Sequence, residues 1–268
     1  MPVELEIRDG EPWWMSPDVW TVPGTDPEGP AGAPVIGQPC YLWALVTNKG
    51  TSNVSNAAVR FYWANPSVGF DRNTAHFIGA SNVNLLPNES AEVLCLAPWI
   101  PEHVNGGHEC VLAEAFHTTL DPLPPVPDFD VPTDRHVAQR NLNVVQALRG
   151  FFAFPFTVYN ALRTEGRYQL KVRQGTLREL DPLRRRLRLE RPKLEGKLVR
   201  TAFVQARCPT EDVLDRRDDG RVEEVSIRGK GGHFTTLVGR VEGGAALLHV
   251  AQYRGDTLAG GISVLVMG

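Results

Sequence analysis

The feature that most constrains this chain is a recurring pattern of short apolar runs rich in Val, Leu, Tyr and Trp, separated by clusters of Gly, Pro, Asn and Ser. In Ala58 to Trp63 the residues alternate, with Val59, Phe61 and Trp63 on one side and Arg60 and Tyr62 on the other. Successive side chains of an extended backbone point to opposite faces, so a period of two marks a half-buried strand. Similar runs span Tyr41 to Thr47, Phe77 to Val83, Ala91 to Leu96, Cys110 to Phe116 and Val137 to Val145. The second half opens on Phe151 to Phe156. It continues through Arg167 to Arg173, Leu198 to Ala206, Arg221 to Ile227, His233 to Val241, Ala245 to Tyr253 and Gly261 to Val266. This pattern predicts an all-β fold of two tandem antiparallel β-sandwich domains, over residues 1–147 and 148–268, each long enough to bury its own core. The proline-rich interval Thr118 to Thr133 reads as a loop, and Leu177 to Lys197 as a place for one short helix bounded by Pro182 and Pro192.

Hydrophobic residues make up 42% and charged residues 22% of the chain, which excludes a fibrous or disordered protein. No run approaches the length of a membrane-spanning helix, and the N-terminus carries Glu4, Glu6 and Asp9 where a secretory signal would be basic and then apolar. As written, the sequence is expected neither to insert into a membrane nor to carry a Sec address. The net charge of −3 hides an asymmetry. Up to Leu148 there are 6 basic against 17 acidic residues, a net of −11; beyond it there are 22 against 14, a net of +8. Opposite charge on two halves of one chain favours attraction within a subunit or between subunits stacked head to tail, although two fused domains with different solvated surfaces would give the same numbers.

Several segments form an ordered set: Arg8-Asp9 followed by Trp13-Trp14; Ser16-Pro17-Asp18-Val19-Trp20; Val46 to Gly50; Val59 to Pro66; Pro98-Trp99-Ile100-Pro101; Gly107 to Glu114; and Ala138 to Asn141. Over residues 5–146 this set resembles bacterial immunoglobulin-like domains of the cell-adhesion-related (CARDB-like) type. The second half is similar, more loosely, to another bacterial immunoglobulin-like or fibronectin-like module, through Phe154 to Asn160 and Gly260 to Val264. The resemblance implies an immunoglobulin-like fold and a non-catalytic role as spacer, adhesion module or accessory part, and it assigns no active-site residues.

Candidate sites divide by chemistry. The basic stretch Arg178, Arg184, Arg185, Arg186, Arg188, Arg191 and Lys193 is the densest positive segment, with Lys197 and Arg200 continuing it. No aromatic residue interrupts it for base stacking, so an acidic protein surface is preferred over nucleic acid as its partner. The loop residues Asp121, Asp128, Asp130 and Asp134 supply such a surface, and also oxygen ligands suited to calcium in a spacing that matches no EF-hand. Trp13, Trp14 and Trp20 read either as a glycan-stacking platform or as packing residues of an N-terminal strand. His103, His108, Cys110 and Cys95 include zinc-ligand types without a Cys-x-x-Cys pair. Cys40 and Cys110 each open an apolar run and are placed to face each other across a sandwich, as a disulfide or as two buried thiols. No Gly-x-Ser-x-Gly elbow, His-Glu-x-x-His pair or phosphate loop occurs. The expectation is a non-enzymatic protein without cofactor that holds protein partners or copies of itself, with an accessory glycan- or calcium-binding module as the alternative.

Overall fold

The computed structural model describes residues 2–64, 71–102, 110–160, 162–184, 195–215 and 219–268, with Arg184 described by its backbone alone. The first half contains β1 (Leu5–Glu6), β2 (Val19–Pro23), β3 (Cys40–Asn48), β4 (Val54–Ala64), β5 (His76–Leu85), β6 (Ser90–Leu94), β7 (Cys110–Phe116) and β8 (Val137–Arg140). The second contains β9 (Leu142–Gln146), β10 (Phe151–Tyr159), β11 (Gly166–Gln174), α1 (Leu177–Arg184), β12 (Lys197–Val204), α2 (Asp212–Asp215), β13 (Val222–Ile227), β14 (Gly232–Glu242), β15 (Ala246–Arg254) and β16 (Thr257–Met267). The protein is all-β, as the alternating runs require. No helix among the described residues is long and apolar enough to cross a membrane.

In the first half β3 is flanked by β2 and β1 on one side and by β6 on the other, and this sheet faces a second one in the order β5-β4-β7-β8. Alternation in β3 turns Cys40, Leu42, Ala44 and Val46 inward, where they meet Val59, Phe61, Val111 and Ala113 from the opposite sheet. In the second half a sheet ordered β10-β14-β12 faces one ordered β13-β11-β15-β16-β9. Here β10 sends Phe152, Phe154 and Phe156 against Leu170, Leu248, Val250 and Val264. Each such buried phenylalanine contributes about 1.5–3 kcal/mol, so the hydrophobic face of β10 is a principal anchor of this body.

The segment Val137 to Val145, read as one final strand of the first half, is two strands in two sheets. Val137–Arg140 completes the β5-β4-β7-β8 sheet, whereas Leu142–Gln146 pairs in parallel with β16 in the other body, so the sheets are not purely antiparallel. The change happens at Asn141. Its N–H donates to the Trp14 carbonyl at 2.8 Å, and its own carbonyl accepts from the Ser263 N–H at 3.0 Å. Around this crossing a third apolar cluster joins Trp14 and Met15 of the N-terminal segment to Leu180 and Leu183 of α1 and to Leu247 and Leu265 of the second body. The helix starts at a capping box: the Glu179 N–H donates to Thr176 Oγ1 at 3.4 Å and the Glu179 carboxylate accepts from the Thr176 N–H at 2.6 Å.

Candidate functional site

The acidic loop expected to present a contact surface is instead half drawn into the protein. Asp128 and Asp130 are exposed, but Asp121 and Asp134 are buried. Asp121 accepts from the Leu5 N–H at 2.7 Å and from Arg135 at 2.5 Å, while Asp134 accepts from His136 Nδ1 at 2.7 Å. Burial opposes ionisation of Asp134, yet the hydrogen bonds from His136 outweigh it and hold the carboxyl below its usual range. Asp121 and Asp134 therefore fasten β1 and β8 to the loop, with their carboxylates turned into the protein. Arg72 pins the same loop. Its Nε donates to the fully buried Glu114 at 2.7 Å, NH1 donates to the carbonyls of Val126 and Asp128, and the guanidinium lies 4.8 Å from the Phe129 ring. Glu114 also accepts from Tyr62 Oη at 2.7 Å. Among the described residues no group of three or more His, Cys, Asp or Glu side chains is placed to hold a metal ion.

Of the basic segment, Arg178 stands exposed on the outer side of α1, whose inner side carries Leu180 and Leu183. Arg185, Arg186, Arg188, Arg191 and Lys193 lie outside the described residues, as do the Arg184 side chain and His103 and His108. Cys40 lies in β3 and Cys110 in β7, in opposite sheets, and both are buried free thiols; Cys40 packs in the core with Val111 and Ala113, so alternation turns Cys110 to the other face of β7, with Leu112. The tryptophans do not form a platform. Trp14 and Trp20 are buried; Trp20 stacks on Trp43 at 5.9 Å and Trp13 meets Trp14 edge-on at 5.3 Å.

One polar chain runs through the junction where the N-terminal segment meets the second body. Trp14 Nε1 donates to Ser263 Oγ at 2.9 Å, Ser263 Oγ lies 2.7 Å from His249 Nδ1, and His249 Nε2 faces the Glu179 carboxylate at 3.6 Å. Glu179 in turn accepts from Arg173 at 2.6 Å. Elementary donor counting orders the protons. The Glu179 carboxylate can only accept, so the ring proton sits on the Nε2 that faces it; Nδ1 is left to accept the Ser263 hydroxyl hydrogen, while Ser263 Oγ accepts from the Trp14 indole. Gly175 makes room for this arrangement, since a Cβ there would lie 2.5 Å from His249 Nε2. Burial, aided by the Arg173 charge and opposed by Glu179, pushes the His249 pKa down to about 4. Burial alone would raise Glu179, but its hydrogen bonds from Arg173 and Thr176 bring it down to about 2. The imidazole is thus neutral and the carboxylate ionised near pH 7.

A serine, histidine and glutamate in contact have the residue types of a hydrolytic triad, and sequence inspection missed them. Their geometry serves another purpose. Ser263 is fully buried, its hydroxyl contacts the histidine nitrogen opposite to the one used in the standard serine-protease arrangement, and Trp14 covers it. Two hydrogen bonds and the 3.6 Å contact of His249 with Glu179 tie these segments together, and the Ser263 hydroxyl is not exposed as a nucleophile. The local signal that was available is the Thr176-x-x-Glu179 capping box.

Neither a protein-family model nor a curated protein matches the chain. Among solved structures it is similar to the CARDB domain of the PF1109 protein of Pyrococcus furiosus, crystallised in complex with di-metal ions. The identity is 16% and the TM-score 0.29, over 52% of this chain and 89% of that one. It is also similar to a bacterial adhesin from Mobiluncus mulieris containing disulfide, isopeptide and ester cross-links, at 8% identity and a TM-score of 0.23, covering 93% and 96% of the two chains. The CupB6 tip adhesin of Pseudomonas aeruginosa gives 9% and 0.23, over 98% and 97%.

Proposed function

We propose that this protein is a non-catalytic structural module that holds protein partners, or copies of itself, in a fixed geometry through surfaces of opposite charge. The observation that carries the reading is the net −11 of the chain up to Leu148 against +8 beyond it. The sealed Trp14 junction supports it, because a sheet-to-sheet connection through Asn141 keeps an acidic and a basic body in constant relation. On the acidic body the exposed carboxylates include Glu11, Asp26, Glu28, Glu89, Glu92, Asp128 and Asp130. On the basic body Arg178 and the segment from Arg184 to Lys193 are the contact residues. Complementary fields of this kind raise encounter rates and select orientation, while rigid sandwich faces supply the shape.

The test is charge reversal at Arg184, Arg185 and Arg186 to Glu, read by sedimentation velocity with circular dichroism as the control for folding. The reading expects a smaller sedimenting species with an unchanged spectrum. An unchanged sedimentation profile would count against it.

A further inference from the structure

Two adjacent glycines in β16 face opposite sides of their sheet. Gly261 lies under Trp14, and a Cβ there would stand 2.3 Å from the indole ring. Gly260 falls on the other face by strand alternation, in line with Ile262 and Val264, which belong to the second body's core. A Cβ at Gly260 would meet no atom within 4 Å, although Ile262, next along the same face, is buried in the core. A cavity of about 480 Å³ occupies this place, opening between the ends of β10 and β16. Its floor is set by core side chains such as Phe156, Tyr168 and Ile262, and its open rim joins the apolar Leu162 to the polar Thr157 and Gln252. The inner end is closed by Asn141, whose side chain donates to the Gly261 carbonyl at 3.0 Å. At the other end, where β15 turns into β16, Arg254 stands exposed, and among the described residues it forms no ion pair or hydrogen bond. From Gly261 to Thr257, the partner of Arg254 across the hairpin, four residue steps give a cleft about 13 Å long.

An apolar slot of this volume with one cation at its mouth has the form of a small-molecule site. We propose that it binds an elongated apolar molecule bearing one anionic group, with the chain along the Gly260 face and the anion on Arg254. The site is independent of the charge-driven assembly proposed above, and its test does not read assembly.

The probes are decanoate and decanol, which share a chain and differ in charge, titrated calorimetrically into the full-length protein. Saturable binding of decanoate at one site is expected, with decanol about threefold weaker, the discrimination an exposed ion pair supplies. Arg254→Gln should abolish that preference and leave chain binding. Gly260→Leu, at a position whose backbone is not in the glycine-only region, should fill the slot, keep or raise the melting temperature and remove binding of both probes. Absence of decanoate binding by the parent protein would overturn the proposal. So would binding that survives in a folded Gly260→Leu variant, or equal affinity for the two probes.

Discussion

Acidification should unlock the junction at His249, and the effect has a calculable size. The imidazole is 1% exposed, and its pKa lies at about 4 in the folded protein against an ordinary value of 6.5. A histidine held neutral by burial favours the folded state above its unfolded pKa. That contribution is lost as pH falls from 6.5 toward 4, because the unfolded chain takes up the proton first. Two and a half pH units at about 1.36 kcal/mol each come to about 3 kcal/mol, or roughly 6 °C or more in melting temperature for a protein of this size. Protonation also converts Nδ1 from acceptor to donor and so leaves the Ser263 hydroxyl hydrogen without its acceptor in a buried place. The assay is urea unfolding of the wild type and His249→Asn across this range, since asparagine keeps an acceptor near the Nδ1 position but does not titrate. The difference in stability between the two should shrink by about 3 kcal/mol on acidification. Carboxylates remote from His249 are common to both proteins and cancel, and the part of the range above pH 5 is clear of the Glu179 titration, which His249 itself influences. Parallel pH profiles for the two would refute the reasoning, as would nitrogen shifts placing the ring proton on Nδ1 at neutral pH.

Other perturbations follow from the same geometry. Burial, then Glu6 and Asp134, raise Asp9 to about 7, so the folded state holds its proton longer than the unfolded chain. Stability should fall as pH rises from about 4 to 7 on this account, and Asp9→Asn should raise the melting temperature above pH 7 more than at pH 5. Gly261→Ala forces a Cβ into the Trp14 ring and should cost about 1–3 kcal/mol, whereas Gly260→Ala, one residue away, should be tolerated. Arg72→Ala leaves the Glu114 carboxylate buried without its main partner, which should cost about 3–5 kcal/mol and speed proteolysis within the loop from Asp121 to Asp134. An Asp9→Asn effect equal at pH 5 and above pH 7, equal denaturant midpoints for the Gly261→Ala and Gly260→Ala variants, or an unchanged midpoint and digestion rate for Arg72→Ala, would contradict these in turn.

Strand positions were legible because burial on one face writes itself as alternation within a run. Cys110–Phe116 coincides with its expected span, and Tyr168, Leu170 and Val172 face the core as the pattern of β11 requires. What alternation cannot express is which sheet a strand joins. Val137 to Val145 reads as one run, and only the bonds of Asn141 to both Trp14 and Ser263 show it divided. Local composition also misled at the acidic loop, where prolines and aspartates look solvated. The side chains that draw the loop and its acids inward include Arg72, remote in sequence, and Arg135 and His136, which follow the loop directly. The Trp14–Ser263–His249–Glu179 cluster was hidden for a similar reason: its members come from separate segments, and the one local mark, the Thr176-x-x-Glu179 capping box, signals a helix start and not a contact with His249.

Attraction between the acidic and basic bodies makes one demand that no other role of these surfaces shares. Sedimentation velocity of the unmodified protein should be compared at about 0.01 M ionic strength, where charges act over about 30 Å, and at about 1 M, where they act over about 3 Å. The account predicts an assembled species at low ionic strength that dissociates to monomer at high ionic strength and re-forms on dilution of the salt. A monomer under both conditions, or an assembly indifferent to salt, would contradict it.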